Sequence, residues 1–439
     1  MPAARVLPAW AGLVAITLIA LAAWQGQAYW EYSDGVYSLS ARQLLDGRAL
    51  YEDFAAAQPP PLYLLGAAAL AISDTPGAIR ALMALCEAAT SLLVLLAVHR
   101  LTRSRAAALA AAVACLLTPW ALREHAQLLP ETVAAPLLLA AALAAGRRGG
   151  ALATGVLAAI AVSLKLAFVV PALVIVLLAG DRRRALAAFG GAGLLLALAC
   201  VLAFGASPLW ENIVDGQAQT GRASLRYLGA LWAQAGWNLA ALVVLAAVAW
   251  QRRAALADPA LVRTLLAASL GALALLATLV KHGSYLTVLV VAEPPLLCLA
   301  AAGLTVVWRE RRQHAARPIV AAAALALAVA QTASLLISPQ DPSLFTRPFA
   351  ASGPARVLSD AQVLRTAEQI RRCPPGTAYP GPPYLAFVAG RRPAGGQPDQ
   401  FMISNAPNLA RFGRAAGTDA AICRSAPVPP PRGGRPDRG

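Results

Sequence analysis

Long, almost uncharged apolar runs alternate along this chain with short polar connections. A helix needs about 20 mostly apolar residues to cross the hydrocarbon core of a bilayer, and about eleven runs approach that length. They cover residues 6–28, 77–99, 106–123, 130–146, 149–164, 166–180, 185–206, 229–250, 262–280, 288–308 and 318–338. The pattern predicts an all-α polytopic membrane protein whose membrane domain occupies residues 1–338.

The first run has two interpretations. Its uncharged stretch from Val6 to Trp24 is longer than the apolar region of about 7–15 residues in a secretory signal peptide. That length favours a membrane span. Small residues at Ala20–Ala23 would suit cleavage, so a removed leader is the alternative.

Composition and charge agree with a membrane protein. Of 439 residues, 59% are hydrophobic and only 13% are charged, whereas a soluble domain is about 25% charged. The net charge of +16 would suggest a nucleic-acid partner in a soluble chain. Here the arginines concentrate in alternate connections, as at 100–105, 182–184 and 309–317. Cytoplasmic loops are enriched in such residues, so the pattern predicts an inner-membrane protein without a nucleic-acid partner, with its N-terminus in the cytoplasm.

Two connections on the opposite, outer side are more than simple turns. The loop 29–75 is too long and too patterned for a plain connector, and we expect surface helices at Val36–Leu45 and Pro61–Ile72. A second segment, 207–228, mixes aromatic and charged residues and is typical of an interfacial element.

The region after residue 338 differs in composition, because Pro, Gly and Arg become more frequent. We expect residues 339–424 to form a small extracytoplasmic α/β domain. A capping-box pattern at Ser359 and Gln362 predicts a helix that ends at Arg372, and Thr377–Ala389 is interpreted as a short strand or loop. Residues 425–439 are predicted to be disordered.

Two cysteines, Cys373 and Cys423, lie outside the predicted spans. Both fall in the region expected outside the cytoplasm, where disulfides form and persist. We expect a disulfide between them, and the alternative is a pair of buried thiols.

Missing motifs exclude some functions. The chain has two lysines, Lys165 and Lys281, and neither follows a glycine as the P-loop lysine does. The zinc-protease pattern H-E-x-x-H is also absent from the sequence. ATP-driven transport and zinc proteolysis are therefore excluded.

Ionisable residues cluster instead near the outer membrane boundary. Charges near the bilayer are costly and are functional candidates by default, although snorkelling or a solvated loop is the alternative for each. A carboxylate flanked by cations suits transfer of a group from a lipid-linked phosphate, because cations neutralise the leaving phosphate and the carboxylate accepts a proton. The candidates are Asp34, Arg80, Arg123, Glu124, His125, Glu131, Lys165, Lys281, His282 and Glu293.

A family resemblance rests on the first outer loop. Residues 33–54 contain S-D-G-V-Y-x-x-x-A-R-x-L-L-x-G-x-x-L-Y-x-D-F, and residues 58–63 follow with Q-P-P-P-L-Y. This loop resembles that of the GT-C polyprenyl-phosphate-sugar glycosyltransferases, which include protein O-mannosyltransferases and aminoarabinose transferases. The similarity extends to an Arg at 80, L-L-P-E at 128–131, S-L-K at 163–165, K-H-G-S-Y at 281–285, E-P-P at 293–295 and P-P-Y-L-A-F-V-A-G-R-R-P at 382–393.

The resemblance implies roles for some residues. Asp34 corresponds to the catalytic base, and the donor phosphate would contact Arg80, Arg123, Lys165 or Lys281. Many members have Asp-Glu where this chain has Asp34-Gly35, so a second acid would come from Glu31, Asp53, Glu124 or Glu131. The family lysine before Pro-Pro-Leu is replaced, since Gln58 and Pro59 stand there. His125, His282 and Glu293 are further candidates, and a divalent metal is an open possibility.

The expected function is thus transfer of a sugar, with inversion, from a polyprenyl-phosphate donor to an extracytoplasmic glycan, lipid or protein. A secondary transporter or lipid-linked glycan flippase is the alternative, with Glu87 as its coupling site unless that side chain bonds Thr90 or Ser91. An inactive scaffold of the same fold is a third possibility.

Overall fold

The computed structural model describes residues 12, 32–118, 127–219, 221–281, 286–311, 319, 322–329, 360–399, 402 and 423. Predictions for Glu31, Arg123, Glu124, His125 and His282 lie outside these residues. The first predicted span, apart from one residue, also lies outside them, as does the tail 425–439.

The described residues are helical almost throughout. Their α-helices of seven residues or more are α1 Tyr32–Leu45, α2 Pro60–Ile72, α3 Pro76–Thr102, α4 Arg105–Leu116, α5 Pro130–Ala145, α6 Ala151–Leu164, α7 Val169–Leu177, α8 Arg182–Phe204, α9 Leu225–Gln251, α10 Pro259–Leu273, α11 Leu289–Glu310, α12 Asp360–Arg371 and α13 Pro383–Ala389, besides the helical residues 322–329. Tighter 3₁₀ turns extend α10 to Val280 and precede α11 from Leu286. Short helical turns link α8 to α9 between Ala206 and Ala218.

Five helices in the described part are long and apolar enough to cross a membrane. They are α3, α8, α9, the segment Pro259–Val280 and the segment Leu286–Glu310, and several shorter apolar helices pack beside them. The chain is a multi-pass membrane protein. The expected number of about eleven spans is not confirmed, because α4, α5, α6 and the 166–177 segment are shorter than a full crossing requires.

Local sequence signals explain where these helices begin. Proline occupies the first turn of α2, α3, α5, α10 and α13, where its missing N–H costs nothing. Side chains cap other helices: Ser104 accepts from the N–H of Ala107, and Asp181 accepts from that of Arg184. The helices expected at Val36–Leu45 and Pro61–Ile72 are present within a few residues as α1 and α2.

Contacts between the connections define an end of the helical bundle that we call the arginine end. There Arg100 donates to the carbonyl of Leu143 and forms an ion pair with Asp258 at 2.8 Å. Arg309 donates to the carbonyl of Thr102, at the end of α3. The opposite end carries Asp34 and is called the Asp34 end. The alternation predicted from the arginines is therefore present as two chemically different ends.

Small residues allow the central helices to approach closely. A Cβ added at Gly303 of α11 would lie 2.0 Å from the carbonyl oxygen of Leu245 on α9. A Cβ at Gly155 of α6 would lie 2.3 Å from the carbonyl oxygen of Ala185 on α8. Such contacts are typical of helix packing in membranes. α11 is largely buried, whereas the apolar surface of α8 faces outward.

The segment after residue 359 packs onto the first loop. α13 lies against α1, where Arg42 donates to the carbonyl of Phe387 at 2.6 Å and stacks over its ring. Arg48 and Gln43 both donate to the carbonyl of Gly396. This segment therefore forms one wall of the Asp34 end.

The interpretation of Thr377–Ala389 as a strand or loop is wrong for its second half, which is α13. Pro383 begins that helix, and Gly390, with φ of 66°, ends it in a left-handed conformation that favours glycine. An isolated bridge joins Tyr379 to Pro393, but residues 360–399 contain no strand. The β part of the expected α/β domain is not confirmed.

A disulfide joins Cys373, which follows α12, to Cys423, with Cα atoms 5.7 Å apart. The backbone N–H of Cys423 also donates to the carbonyl of Ala378 at 2.9 Å. The four remaining cysteines are free thiols on the membrane helices.

Candidate functional site

Asp34 lies in the first turn of α1 and is 4% exposed. Its Oδ1 atom accepts hydrogen bonds from the hydroxyl of Ser38 at 3.2 Å and from the backbone N–H of Leu128 at 3.0 Å. Both donors favour the carboxylate, and so does the positive end of the helix dipole. The structure thus holds this carboxylate in one orientation at the junction of α1 with the start of α5.

The packing around Gly35 explains why this chain lacks the Asp-Glu pair that many members of the similar family have. A Cβ at position 35 would lie 2.2 Å from the backbone nitrogen of Tyr384. No side chain fits there, because the start of α13 occupies the space. Tyr384 in turn accepts a hydrogen bond from Arg80 at 3.0 Å. Sequence reasoning missed Tyr384, which lies far away in the chain.

Glu131 and Lys165 form an ion pair at the same end. The Nζ atom of Lys165 lies 2.6 Å from Oε1 of Glu131, and Glu131 is 1% exposed. Thr287, before α11, donates to the same oxygen at 3.2 Å. Glu131 stands in the first turn of α5, where a negative charge is favoured. This triad ties together the ends of three membrane helices.

Lys281 follows the extension of α10 and has a different kind of partner. Its ammonium donates to the side-chain oxygen of Gln217, and Gln217 donates to the carbonyl of Ala57. Burial, together with a smaller effect of the positive charge of Lys165, lowers the pKa of Lys281 to about 8. The two lysines therefore share one electrostatic environment. Gln217 was not predicted as a site residue.

Gln58 stands where the family lysine is missing, and three tyrosines surround it. Its side chain donates to the hydroxyl of Tyr37, and its backbone N–H donates to that of Tyr63. Tyr51 donates to its carbonyl at 2.5 Å. Burial raises the pKa of Tyr37 well above its usual value, and Tyr63, Glu131 and Asp399 add to the shift. Tyr37 is therefore a neutral phenol near the Glu131 triad.

The carboxylate of Asp53 takes part in a local turn of the first loop. Asp53 is exposed, and its carboxylate accepts from the backbone N–H of Ala49 at 2.7 Å. Its environment is that of a turn-stabilising residue.

Glu293 lies on α11, six residues after Thr287, and is 2% exposed. It lines a small cavity together with Glu87, Thr90, Cys115, Thr118 and Val290. The expected bond from Glu87 to Thr90 or Ser91 is wrong, because those hydroxyls donate to the carbonyls of Cys86 and Ala112.

The structure therefore brings Asp34, Arg80, Glu131, Lys165 and Lys281 to one end of the bundle and places Glu293 below them. Within the described ranges, no group of three or more His, Cys, Asp and Glu side chains is arranged to hold a metal ion. The residues that sequence reasoning missed, Ser38, Gln217, Thr287 and Tyr384, are all neutral polar groups. Ser38 left a local signal, since it lies one helical turn after Asp34, and Tyr384 lies in the stretch 382–393 that carries part of the family resemblance.

Two solved structures resemble the chain over most of its length. The crystal structure of ArnT from Cupriavidus metallidurans bound to undecaprenyl phosphate shares 15% sequence identity, with a TM-score of 0.61 over 92% of this chain and 89% of that one. The apo structure of the same protein gives 15% identity and a TM-score of 0.57 over 88% and 85%. No protein-family model and no curated protein matches the sequence. The chain therefore has the same fold as this ArnT, which agrees with the fold expected from its first loop.

Proposed function

We propose that this protein is a glycosyltransferase that moves a sugar from a polyprenyl-phosphate donor to an extracytoplasmic acceptor, with inversion at the sugar carbon. The observation that carries the proposal is the buried carboxylate of Asp34 at the same end of the bundle as Arg80 and Lys281. A fixed base beside cations is what transfer from a lipid phosphate requires.

The fold supports a lipid-linked donor. A protein of the same fold binds undecaprenyl phosphate, and we infer a polyprenyl phosphate of that class for this chain. The Asp34 end would then face the outer side of the inner membrane, with the arginine end in the cytoplasm, as the positive-inside rule requires. Nucleotide sugars are not expected on the outer side, so a donor anchored in the bilayer is the natural source of activated sugar.

In the proposed mechanism, Asp34 accepts the proton of an acceptor hydroxyl or amine as the acceptor attacks C1 of the sugar. The bond from C1 to the phosphate oxygen breaks, and its electron pair leaves with the polyprenyl phosphate. One displacement through an oxocarbenium-like state inverts C1, as in inverting glycosidases. Ser38 and the N–H of Leu128 hold the carboxylate in place during this transfer.

Among the cations, Lys281 is the best candidate to contact the leaving phosphate. The charge of Lys165 is already compensated by Glu131 at 2.6 Å. Lys281 donates instead to the neutral amide of Gln217, so its charge stays available for an anion. A lysine ammonium serves as a point charge on phosphate. Arg80, which donates to Tyr384, is the second candidate.

The test uses the full-length protein with radiolabelled polyprenyl-phosphate sugars and cell-envelope extracts as acceptors. We expect Asp34→Asn to lower transfer by a factor of about 10²–10⁴, the usual contribution of a general base. Asp46→Asn, at the exposed far end of the same helix, is the matched control and should retain activity. Near-normal turnover by correctly folded Asp34→Asn protein would exclude Asp34 as the base.

A transporter or flippase is the second candidate function, and one observation favours it. Glu87 is 5% exposed and lies inside a membrane helix, which is typical of coupling sites in transporters. A transport assay in reconstituted vesicles distinguishes transport from sugar transfer. Movement of labelled polyprenyl-phosphate sugar across the bilayer, lost in Glu87→Gln and retained in Asp34→Asn, would favour transport over transfer.

A further inference from the structure

Residues 55–57 of the first loop are held by amide side chains that come from distant parts of the chain. One backbone group of each residue bonds to an amide at 3.0–3.3 Å. The three amides belong, in that order, to Gln397, Asn212 and Gln217. Gln397 and Asn212 are buried. The backbone just before Gln58 is therefore fixed by the 207–228 segment and by the region after residue 359.

Gln217 also contacts a cation. Its side-chain oxygen accepts a hydrogen bond from the ammonium of Lys281, and its side-chain nitrogen donates to the carbonyl of Ala57 at 3.0 Å. An ammonium only donates and a carbonyl only accepts, so these two partners allow one orientation of the amide. Gln217 thus bridges Lys281 to the first loop.

The backbone of Lys281 pairs with the same segment that carries Gln217. An isolated antiparallel bridge joins Arg222 to Lys281, and the backbone N–H of Ala223 donates to the carbonyl of Val280 at 2.8 Å. The main chain and the ammonium of Lys281 are therefore both located by the 207–228 segment. A lysine side chain loses much rotamer freedom when it is fixed. Here part of that loss occurs on folding, before any ligand binds.

The amide of Gln217 suits both of its partners. A carboxylate of the same length would accept from Lys281, but it would cancel the positive charge and could not donate to Ala57. An apolar side chain would keep the charge but would remove both hydrogen bonds. The carboxylate alternative is present at the same end of the bundle, where Glu131 lies 2.6 Å from Lys165. The neutral amide therefore orients Lys281 and leaves its charge intact.

We propose that Gln217 is a positioning residue, which holds the ammonium of Lys281 beside residues 55–57 so that its charge meets the phosphate of the lipid donor. Asn212 and Gln397 act with it, because they fix the stretch of loop to which Gln217 is anchored. A cation that is already oriented loses less side-chain freedom when the donor binds, which increases affinity. The inference rests on the lipid-phosphate donor of the proposed function.

The binding test measures the affinity of purified full-length protein in detergent for radiolabelled undecaprenyl phosphate. In Gln217→Glu, the new carboxylate neutralises Lys281, so we expect affinity to fall by about tenfold or more, as for loss of a hydrogen bond to a charged group. Gln217→Met keeps the charge of Lys281 and should lower affinity by a smaller factor, about threefold. Gln219→Glu adds the same charge at an exposed position two residues away. It is the matched control and should bind as the wild type does.

Two further measurements distinguish positioning from a merely structural role. In a Lys281→Met background, Gln217→Met should cause no further loss of affinity, because a residue that acts through Lys281 has nothing left to position. The pH dependence of trace acetylation, followed by mass spectrometry, measures the pKa of each of the two lysines. Gln217→Glu should raise the pKa of Lys281 by about one unit or more, and Gln219→Glu should not. Lys165 acts on Lys281 in every variant, so the difference comes from position 217.

Several results would overturn the proposal. They are equal affinity of the wild type and both Gln217 variants, a loss in Gln217→Met that persists in the Lys281→Met background, and an unchanged pKa of Lys281 in Gln217→Glu. Wild-type protein that does not bind undecaprenyl phosphate would refute both this role and the lipid donor. Wild-type protein that binds the lipid, with the expected pattern among the variants, but transfers no sugar would support the positioning role and refute the transfer. If Gln217→Glu does not fold, Gln217→Met and Lys281→Met complete the comparison by themselves.

Discussion

The two ends of the helical bundle use charged residues in different ways. At the arginine end, cations meet acids and carbonyls directly, as in Arg100–Asp258 and Arg252–Glu310. At the Asp34 end, the cations Arg80 and Lys281 donate to a phenol and an amide. The first arrangement gives Arg100 and Arg252 each a carboxylate partner. The neutral partner of Lys281 leaves its positive charge available for an anion, as the proposed transfer from a lipid phosphate requires.

The Glu131–Lys165 pair is the exception at the Asp34 end, and breaking it should have the largest effect on stability. Glu131 is 1% exposed and Lys165 is 25% exposed. Removing one partner of such a pair leaves a charge largely buried without compensation, so we expect Glu131→Gln to lower the free energy of unfolding by about 3 kcal/mol. Denaturant unfolding in detergent measures the change.

The double variant Glu131→Gln/Lys165→Met distinguishes a stability loss caused by an unpaired charge from one caused by poorer packing. It should recover most of the loss, because no buried charge then remains. If the double variant is as unstable as the single one, the pair does not act through its charges.

Gly35→Ala tests the contact between α1 and α13. The new methyl group would lie 2.2 Å from the backbone of Tyr384, so α13 must move away and the Arg80–Tyr384 bond must lengthen. We expect a stability loss of about 1–3 kcal/mol, as for other overpacked positions, together with reduced transfer. Gly229→Ala on the exposed face of α9, where no atom lies within 4 Å, is the control and should retain activity. Equal behaviour of the two variants would show that the α1–α13 contact is not needed.

The charge of Lys281 should appear in the pH profile of transfer. Burial lowers its pKa to about 8, so the cation is present below that pH and is lost above it. If this cation stabilises the leaving phosphate, the rate should decline as pH rises through about 8. Lys281→Arg stays charged over this range, and any activity that it retains should not show the decline. A wild-type profile that stays flat from about pH 7 to 10 would remove Lys281 from the mechanism.

The smallest effect is expected at the arginine end. Arg252 is 36% exposed and Glu310 is 16% exposed, and partly exposed pairs contribute only about 0–1 kcal/mol. Glu310→Gln should therefore change neither stability nor transfer by much. A loss comparable to that of Glu131→Gln would contradict the contrast between the two ends.

Sequence reasoning identified α1 and α2 closely because their signals are local. The prolines that precede Leu62, for example, need no distant partner to be interpreted. It did not find α13, because a seven-residue helix between prolines carries little periodicity. Among the predicted site residues, Asp34, Arg80, Glu131, Lys165 and Lys281 lie at one end of the bundle, whereas the carboxylate of Asp53 is bonded in a local turn.

The sequence by itself determined that the chain is a membrane protein and that its charged residues lie at the two ends of the helical bundle. Each apolar residue and each arginine interacts with the bilayer or the water beside it independently of the rest of the fold. Hydropathy and the positions of the arginines can therefore be interpreted without a structure. Only the tertiary structure decided which charges are compensated, since Lys165 meets Glu131 and Lys281 meets Gln217 through side chains from separate helices. It also decided that position 35 must be glycine, because the atom that fills the space belongs to Tyr384, whose distance along the chain no local pattern encodes.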